Sequence, residues 1–135
     1  MTLVVVPVRY PLTDHSKATL ARAIEVAEEH DAELTVLHVN LYQDSGRVSR
    51  TELKRAVRRE FGDLPDVRFV VRSGFLVEET ILEEVAAERA DFVVIGQKQA
   101  GRWRRMLRSL VDDPDIETYL REKLDCTVVT ATATN

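Results

Sequence analysis

The chain has 135 residues, 44% of them apolar and 31% charged, with a formal net charge of −4. That balance belongs to a globular protein with one core, is too short for two ordinary domains, and argues against a general nucleic-acid binder. No apolar run approaches the roughly 20 residues of a spanning helix, and the start runs directly into LVVVPV without a secretory pattern. A single domain over 1–135, a cytoplasmic location and no membrane association are therefore expected.

In chain order, short apolar runs recur at Leu3–Val8, Leu34–Val39, Val67–Val71, Phe92–Ile95 and Thr127–Thr130, the pattern of strands covered on both faces. Between them lie stripes with helical spacing. The first is Ala18, Ala21, Ile24 and Ala27; the second Leu53, Val57 and Phe61; the third Val77, Ile81 and Val85; the last Ile116, Leu120 and Leu124. Asp14 or Thr13 suits the cap of the first helix, and Asp113 with Pro114 the start of the last. Gly62 and Pro65 end the second helix, and residues 40–49 read as a loop. Alternation of strand and helix five times over predicts an α/β fold with an open, mostly parallel sheet and helices on both faces.

Such sheets bind ligands beyond the carboxyl ends of their strands, where strand order reverses. The segments that follow the first, second and fourth strands begin at Arg9, Asn40 and Gly96. The last of these is the most distinctive stretch of the chain. Lys98, Arg102, Arg104, Arg105 and Arg108 follow Gly96 with no acidic residue between 97 and 108. Guanidinium groups bind phosphate bidentately, so this run is one candidate anion site. If 103–110 is helical, Arg104 and Arg108 share a face while Trp103, Met106, Leu107 and Leu110 supply apolar contact, and the arginines then form the solvated side of a short helix. Trp103 fits either stacking on a base or anchoring that helix. The run RTELKRAVRRE at 50–60 adds a second concentration of positive charge, mixed with Glu52 and Glu60.

Other chemistries find little footing. The single Cys126 excludes an internal disulfide and reads as a buried thiol. His15 and His38 can approach across neighbouring strand ends, but no third carboxylate or cysteine has ligand spacing with them, and His30 sits in the acidic EEHDAE turn, so no metal site is assigned. Ser16 sits early in a helix, where its hydroxyl bonds to backbone, and no nucleophile elbow is present. No catalytic residue is assigned. Weak phosphohydrolase activity would need a metal-dependent water and an in-line approach that no residue identifies.

Four strings in order resemble the universal stress protein family over nearly the whole chain. VPV at 6–8 with DHSKATL at 14–20 is similar to the family's opening, AELTVLHV at 32–39 to its second strand, ADFVVIG at 90–96 to its fourth, and YLREKLDCTVV at 119–129 to its closing helix and strand. The resemblance implies a five-stranded sheet in the order 3-2-1-4-5, of the Rossmann-like, adenine nucleotide alpha hydrolase-like type, a stress-response role and frequent homodimers. In the family's nucleotide binders an aspartate after the first strand contacts the nucleoside, the end of the second strand lines the adenine pocket, and G-x2-G-x9-G-[ST] wraps the phosphates. Glycines there let amides approach phosphate without a Cβ in the way.

This chain departs from that pattern. Gly96 stands at the first glycine, Gln99 at the second, and Ser109 with Leu110 at the third and its hydroxyl partner. Aligned from the end of the chain, Pro114 and Asp115 fall there instead. Arg9 replaces the aspartate after VPV, with Asp14 a substitute for it or a helix cap. The resemblance thus implies two readings. One is a dimeric regulatory protein acting by association with an unidentified regulatory protein, with weak or absent nucleotide binding. The other is an ATP or AMP sensor, with Mg, in which an arginine-rich loop replaces the glycine loop. Its candidate contacts are Arg9, Asp14, His38, Val39, Gly96, Lys98, Gly101, Arg102 and Ser109. In the 3-2-1-4-5 order the last strand, with Cys126, Thr127, Val128, Val129 and Thr130, lies at an edge without lysine, arginine or proline. Pairing with its own copy would satisfy its backbone groups.

Overall fold

The computed structural model of the chain describes residues 2–108 and 116–131. Five strands, β1 (Leu3–Pro7), β2 (Glu33–Leu41), β3 (Val67–Gly74), β4 (Phe92–Gly96) and β5 (Thr127–Ala131), form one sheet in the order β3-β2-β1-β4-β5. Every pairing is parallel. The helices are α1 (Asp14–Glu29), α2 (Arg50–Phe61), α3 (Val77–Glu88), α4 (Gln97–Leu107) and α5 (Ile116–Leu124).

Strand periodicity divides the core in two. Val5, Leu37, Val39, Val93 and Ile95 point to one face with Ile81 and Val85 of α3, Ala100, Trp103 and Leu107 of α4, and Leu120 of α5. Val4, Val6, Leu34, Val36 and Val94 point to the other, against Leu20, Ala23 and Val26 of α1 and Leu53 and Val57 of α2. Val4, Val5 and Val6 are fully buried, so the strand is apolar on both faces because each face carries a helical layer. Each such side chain contributes about 1.5–3 kcal/mol of burial.

Three expectations are revised and one open choice is settled. The buried stripe of α1 is Leu20, Ala23, Val26 and Ala27, rotated from Ala18, Ala21 and Ile24 because Leu20 and Val26 bury more apolar surface than alanines do. Its cap is Thr13, whose hydroxyl accepts from the Ser16 amide, and Asp14 is the first helical residue. β3 is covered less completely than expected: as an edge strand it is only partly buried along its length, with Val70 packed on one face and Val67, Phe69 and Val71 on the other. Helix α4 begins at Gln97, directly after β4 with Gly96 as its cap, and not near 103. The pairing of Asp113 with Pro114 falls outside the described residues.

Candidate functional site

Residue by residue, the carboxyl ends of β1, β2 and β4 meet as the topology requires. Val8 donates its amide to the Leu37 carbonyl at 2.8 Å, and the His38 ring bonds the Val8 carbonyl through Nδ1 at 3.1 Å. A carbonyl only accepts, so Nδ1 carries the proton and the ring is committed to joining β1 to β2. Arg9 follows with an exposed side chain. Its backbone amide donates to Ser16 Oγ at 3.1 Å, and Thr13 Oγ1 donates to the same oxygen at 3.2 Å. The Ser16 hydroxyl, buried at 7% exposure, therefore holds the turn between β1 and α1.

At the end of β2, Asn40 is buried and binds Val48 twice, Nδ2 to the carbonyl at 2.9 Å and Oδ1 from the amide at 3.0 Å. This closes the following loop against the strand. Ser49 then starts α2 with a reciprocal pair of bonds to Glu52. Between that helix and the turn after β1 lies a shallow pocket of about 170 Å³ lined by Tyr10, Glu52, Arg55, Ala56 and Arg59. Tyr10 also meets the His38 ring edge-on, with centroids 6.3 Å apart. The pocket is smaller than the roughly 300–1,000 Å³ typical of ligand sites. Its residues are absent from the sequence-derived candidates, although Arg55 and Arg59 stand one helical turn apart in the basic run.

At the end of β4, Gly96 is packed so that a Cβ there would lie 3.2 Å from Thr19 Oγ1 of α1. Gln97 to Arg108 then run along the opposite face of the sheet from α2. Ala100, Trp103 and Leu107 form the buried stripe of α4, and Trp103 has no exposed surface. Trp103 therefore anchors the helix and is not placed to stack on a base. Lys98, Arg102 and Arg105 recur at i, i+4 and i+7 and lie opposite that stripe, with Arg104 and Arg108 exposed beside them. Among the described residues none of these five cations is within ion-pair distance of a carboxylate. Gln99, at the second glycine position of the family pattern, donates to Glu78 Oε1 of α3 at 3.3 Å. The two basic segments lie on different faces of the sheet and do not form one surface.

The candidate residues are thus placed as follows. Arg9, His38, Val39 and Gly96 gather around the strand ends; Asp14 is exposed in the first turn of α1; Lys98, Gly101 and Arg102 belong to a continuous helix whose cationic side faces away from the core. Ser109 and the alternative Pro114 and Asp115 lie outside the described residues. Among the described residues no cluster of His, Cys, Asp or Glu has the geometry to hold a metal ion. None of the described helices is long and apolar enough to cross a membrane. Cys126 precedes β5 and is 1% exposed. Burial, with Asp91 and Asp125 nearby, pushes its thiol up to about 11.

No protein-family model matches the sequence, and no curated protein matches it. Solved structures do. The universal stress protein UspA from Lactobacillus plantarum is 21% identical with a TM-score of 0.63, the match covering 96% of this chain and 97% of that one. A universal stress protein in complex with cAMP is 17% identical with a TM-score of 0.61, covering 98% of both chains. The universal stress protein from Archaeoglobus fulgidus in complex with dAMP is 16% identical with a TM-score of 0.57, covering 97% of this chain and 98% of the other. With the parallel sheet in the order 3-2-1-4-5 and helices on both faces, this chain has the Rossmann-like α/β fold of the universal stress proteins.

Proposed function

We propose that this chain is a cytoplasmic, single-domain stress-response protein of the UspA type that acts by association as a homodimer, with weak or absent nucleotide binding. One observation carries this reading: the segment that would wrap phosphates is a helix from Gln97 onward, held by the buried Trp103, with its cations directed away from the core. Amides inside a helix are bonded to the preceding turn and are not free for phosphate. Arg9 in place of an acceptor carboxylate removes the partner a ribose hydroxyl would need.

The association surface in this reading is β5. Among the described residues it pairs only with β4, and Thr127 and Thr130 are exposed on it. Cys126 and Val128 turn into the core, so contact would run through the strand's backbone edge and its threonines. A regulatory protein of unspecified identity would then engage the dimer.

A second reading is favoured by the first turn of α4, whose free amides cap the end of β4 beside Lys98, and by the neighbours that hold cAMP and dAMP. ATP or AMP, with Mg, would place adenine near Arg9 and Val39 and phosphates near Gly96, Lys98 and Arg102. Light scattering after size exclusion, combined with calorimetric titration of Mg-ATP at low and moderate salt, separates the two. A dimer that Thr130→Lys converts to monomer, with no saturable binding up to about 1 mM, supports association. Saturable binding near one nucleotide per chain that survives moderate salt supports the sensor and overturns the first reading.

A further inference from the structure

Away from the strand ends, the lower half of the α3 face holds a polar cluster in an otherwise apolar layer. Glu84 and Glu88 are one turn apart on the side of α3 that faces the sheet, with Glu84 6% exposed and the Glu88 side chain 11% exposed. Arg72 of β3 grips the Glu84 carboxylate from Nε at 2.8 Å and Nη2 at 3.4 Å. Arg68, four residues earlier on the same side of β3, pairs with Glu88 Oε1. Thr35 of β2, fully buried and directly opposite Arg68 in the sheet register, donates its hydroxyl to that oxygen at 3.3 Å and accepts from Arg68 Nη2 at 3.3 Å.

Both donors on Glu88 go to Oε1. Its Oε2 is buried without a hydrogen-bond partner among the described residues, and a bare carboxylate oxygen in the interior is costly. A proton on Oε2 resolves this, because it can be donated to the Glu84 carboxylate. Glu84 is the member doubly bonded to Arg72. The groups facing Glu88 are Glu84 on its own helix, Arg68 on β3 and Thr35 on β2, and Arg72 acts through Glu84.

We propose that Glu84 and Glu88 share one proton at neutral pH, and that this pair is a pH-sensitive clasp fastening α3 to the free edge strand β3. Loss of the proton leaves two carboxylates facing each other beneath the strand, and the edge opens more readily. Burial and the Glu84 charge push Glu88 up to about 7, against the pull of Arg68, so the clasp would respond within the neutral range. Among the described residues β3 pairs with β2 only, so its attachment also draws on α3 on this face and α2 on the other.

Carboxyl-carbon NMR of the full-length 13C-labelled chain, titrated from acid to alkaline pH, tests the proton directly. Glu88 is expected to titrate near 7 and to fall toward the usual glutamate range in Glu84→Gln, where the repelling charge is gone. A Glu88 midpoint below about 6 overturns the shared proton. Hydrogen exchange at the Val70 and Arg72 amides, which face β2 in the sheet register, tests the clasp, with protection factors corrected for intrinsic exchange. Protection is expected to fall several-fold as wild type passes through its upper titration and to stay constant in Glu88→Gln, which keeps the neutral donor. Parallel pH dependence in the two proteins overturns the clasp.

Discussion

Truncating Trp103 to alanine is the sharpest test of how α4 is held. The indole is fully buried in the layer formed with α3, α5 and the sheet, and a buried Trp removes about 150–250 Å² from water. At about 25 cal/mol per Å² that is roughly 4–6 kcal/mol, while direct Trp-to-Ala truncations cost about 3–5 kcal/mol. One term opposes this. Nε1 is buried without a partner among the described residues, and deleting an unsatisfied donor returns about 1–3 kcal/mol. The net expectation is a loss of about 1–4 kcal/mol, with Trp103→Phe costing at most about half because it removes the bare N–H and keeps most of the ring. Urea unfolding followed by far-ultraviolet dichroism measures both. Trp103 is the only tryptophan, so wild-type fluorescence reports the same site: it should resist quenching by acrylamide until the chain unfolds. A Trp103→Ala variant within about 0.5 kcal/mol of wild type, or a native tryptophan freely quenched, would refute the anchoring of α4.

Four further outcomes are expected. Gly101 lies inside α4 with open space where a Cβ would stand, so Gly101→Ala should raise stability by about 0.5–1 kcal/mol in the same urea assay. At Gly74 a Cβ would fall on Thr80 Oγ1 and lie 3.3 Å from Thr80 Cβ; Gly74→Ala should cost about 1–3 kcal/mol and lose part of that cost in a Thr80→Ala background, a coupling that a double-mutant cycle detects. Cys126, with its thiol near 11 and 1% exposed, should resist iodoacetamide in the native chain at about pH 8 and react promptly in urea. Glu88 ionises near 7 when folded against an ordinary value of 4.5; its contribution is present below the unfolded value and lost as pH rises through the folded one, up to about 3 kcal/mol, so melting temperature should decline between about pH 5 and 8 in wild type and less in Glu88→Gln.

The layers of this fold are legible in the sequence because burial on both faces leaves an unmistakable mark: VVV at 4–6 and VVI at 93–95 have no polar alternate. Strand order is not contained in that periodicity and comes from resemblance to a family. The α1 stripe escapes pattern reasoning because a helix rich in alanine offers several weak apolar stripes, and only packing of Leu20 and Val26 selects among them. Thr13 and Asp14 are both good caps, and a single-residue choice between them is finer than sequence pattern can decide. β3 shows the opposite case. VRFVVR has Arg68 and Arg72 on one face, a period-two signal of an edge that its continuous apolar centre obscures. Glu84 and Glu88 are invisible as a cluster, since glutamates one turn apart look like any solvated helix face until arginines four apart on a strand are brought over them.

The start of α4 matters most for function, and its energetics bear on the competing readings. Gly96 and Gly101 signal a loop, but Gln97 to Ala100 are good helix formers and the buried Trp103 rewards a helix that reaches it. A ligand that used only the first-turn amides could bind without disturbing this helix. One that required the extended phosphate wrap implied by the family pattern would have to unwind the segment ahead of Trp103 and loosen its packing. Losing even the net of about 1–4 kcal/mol assigned to the indole corresponds to about one to three orders of magnitude in affinity. On the proposed reading, then, weak nucleotide binding follows from the helix as much as from the absent glycines. Restoring a glycine at Gln99 alone should not recover phosphate binding, whereas loosening the anchor in the same chain should move affinity upward.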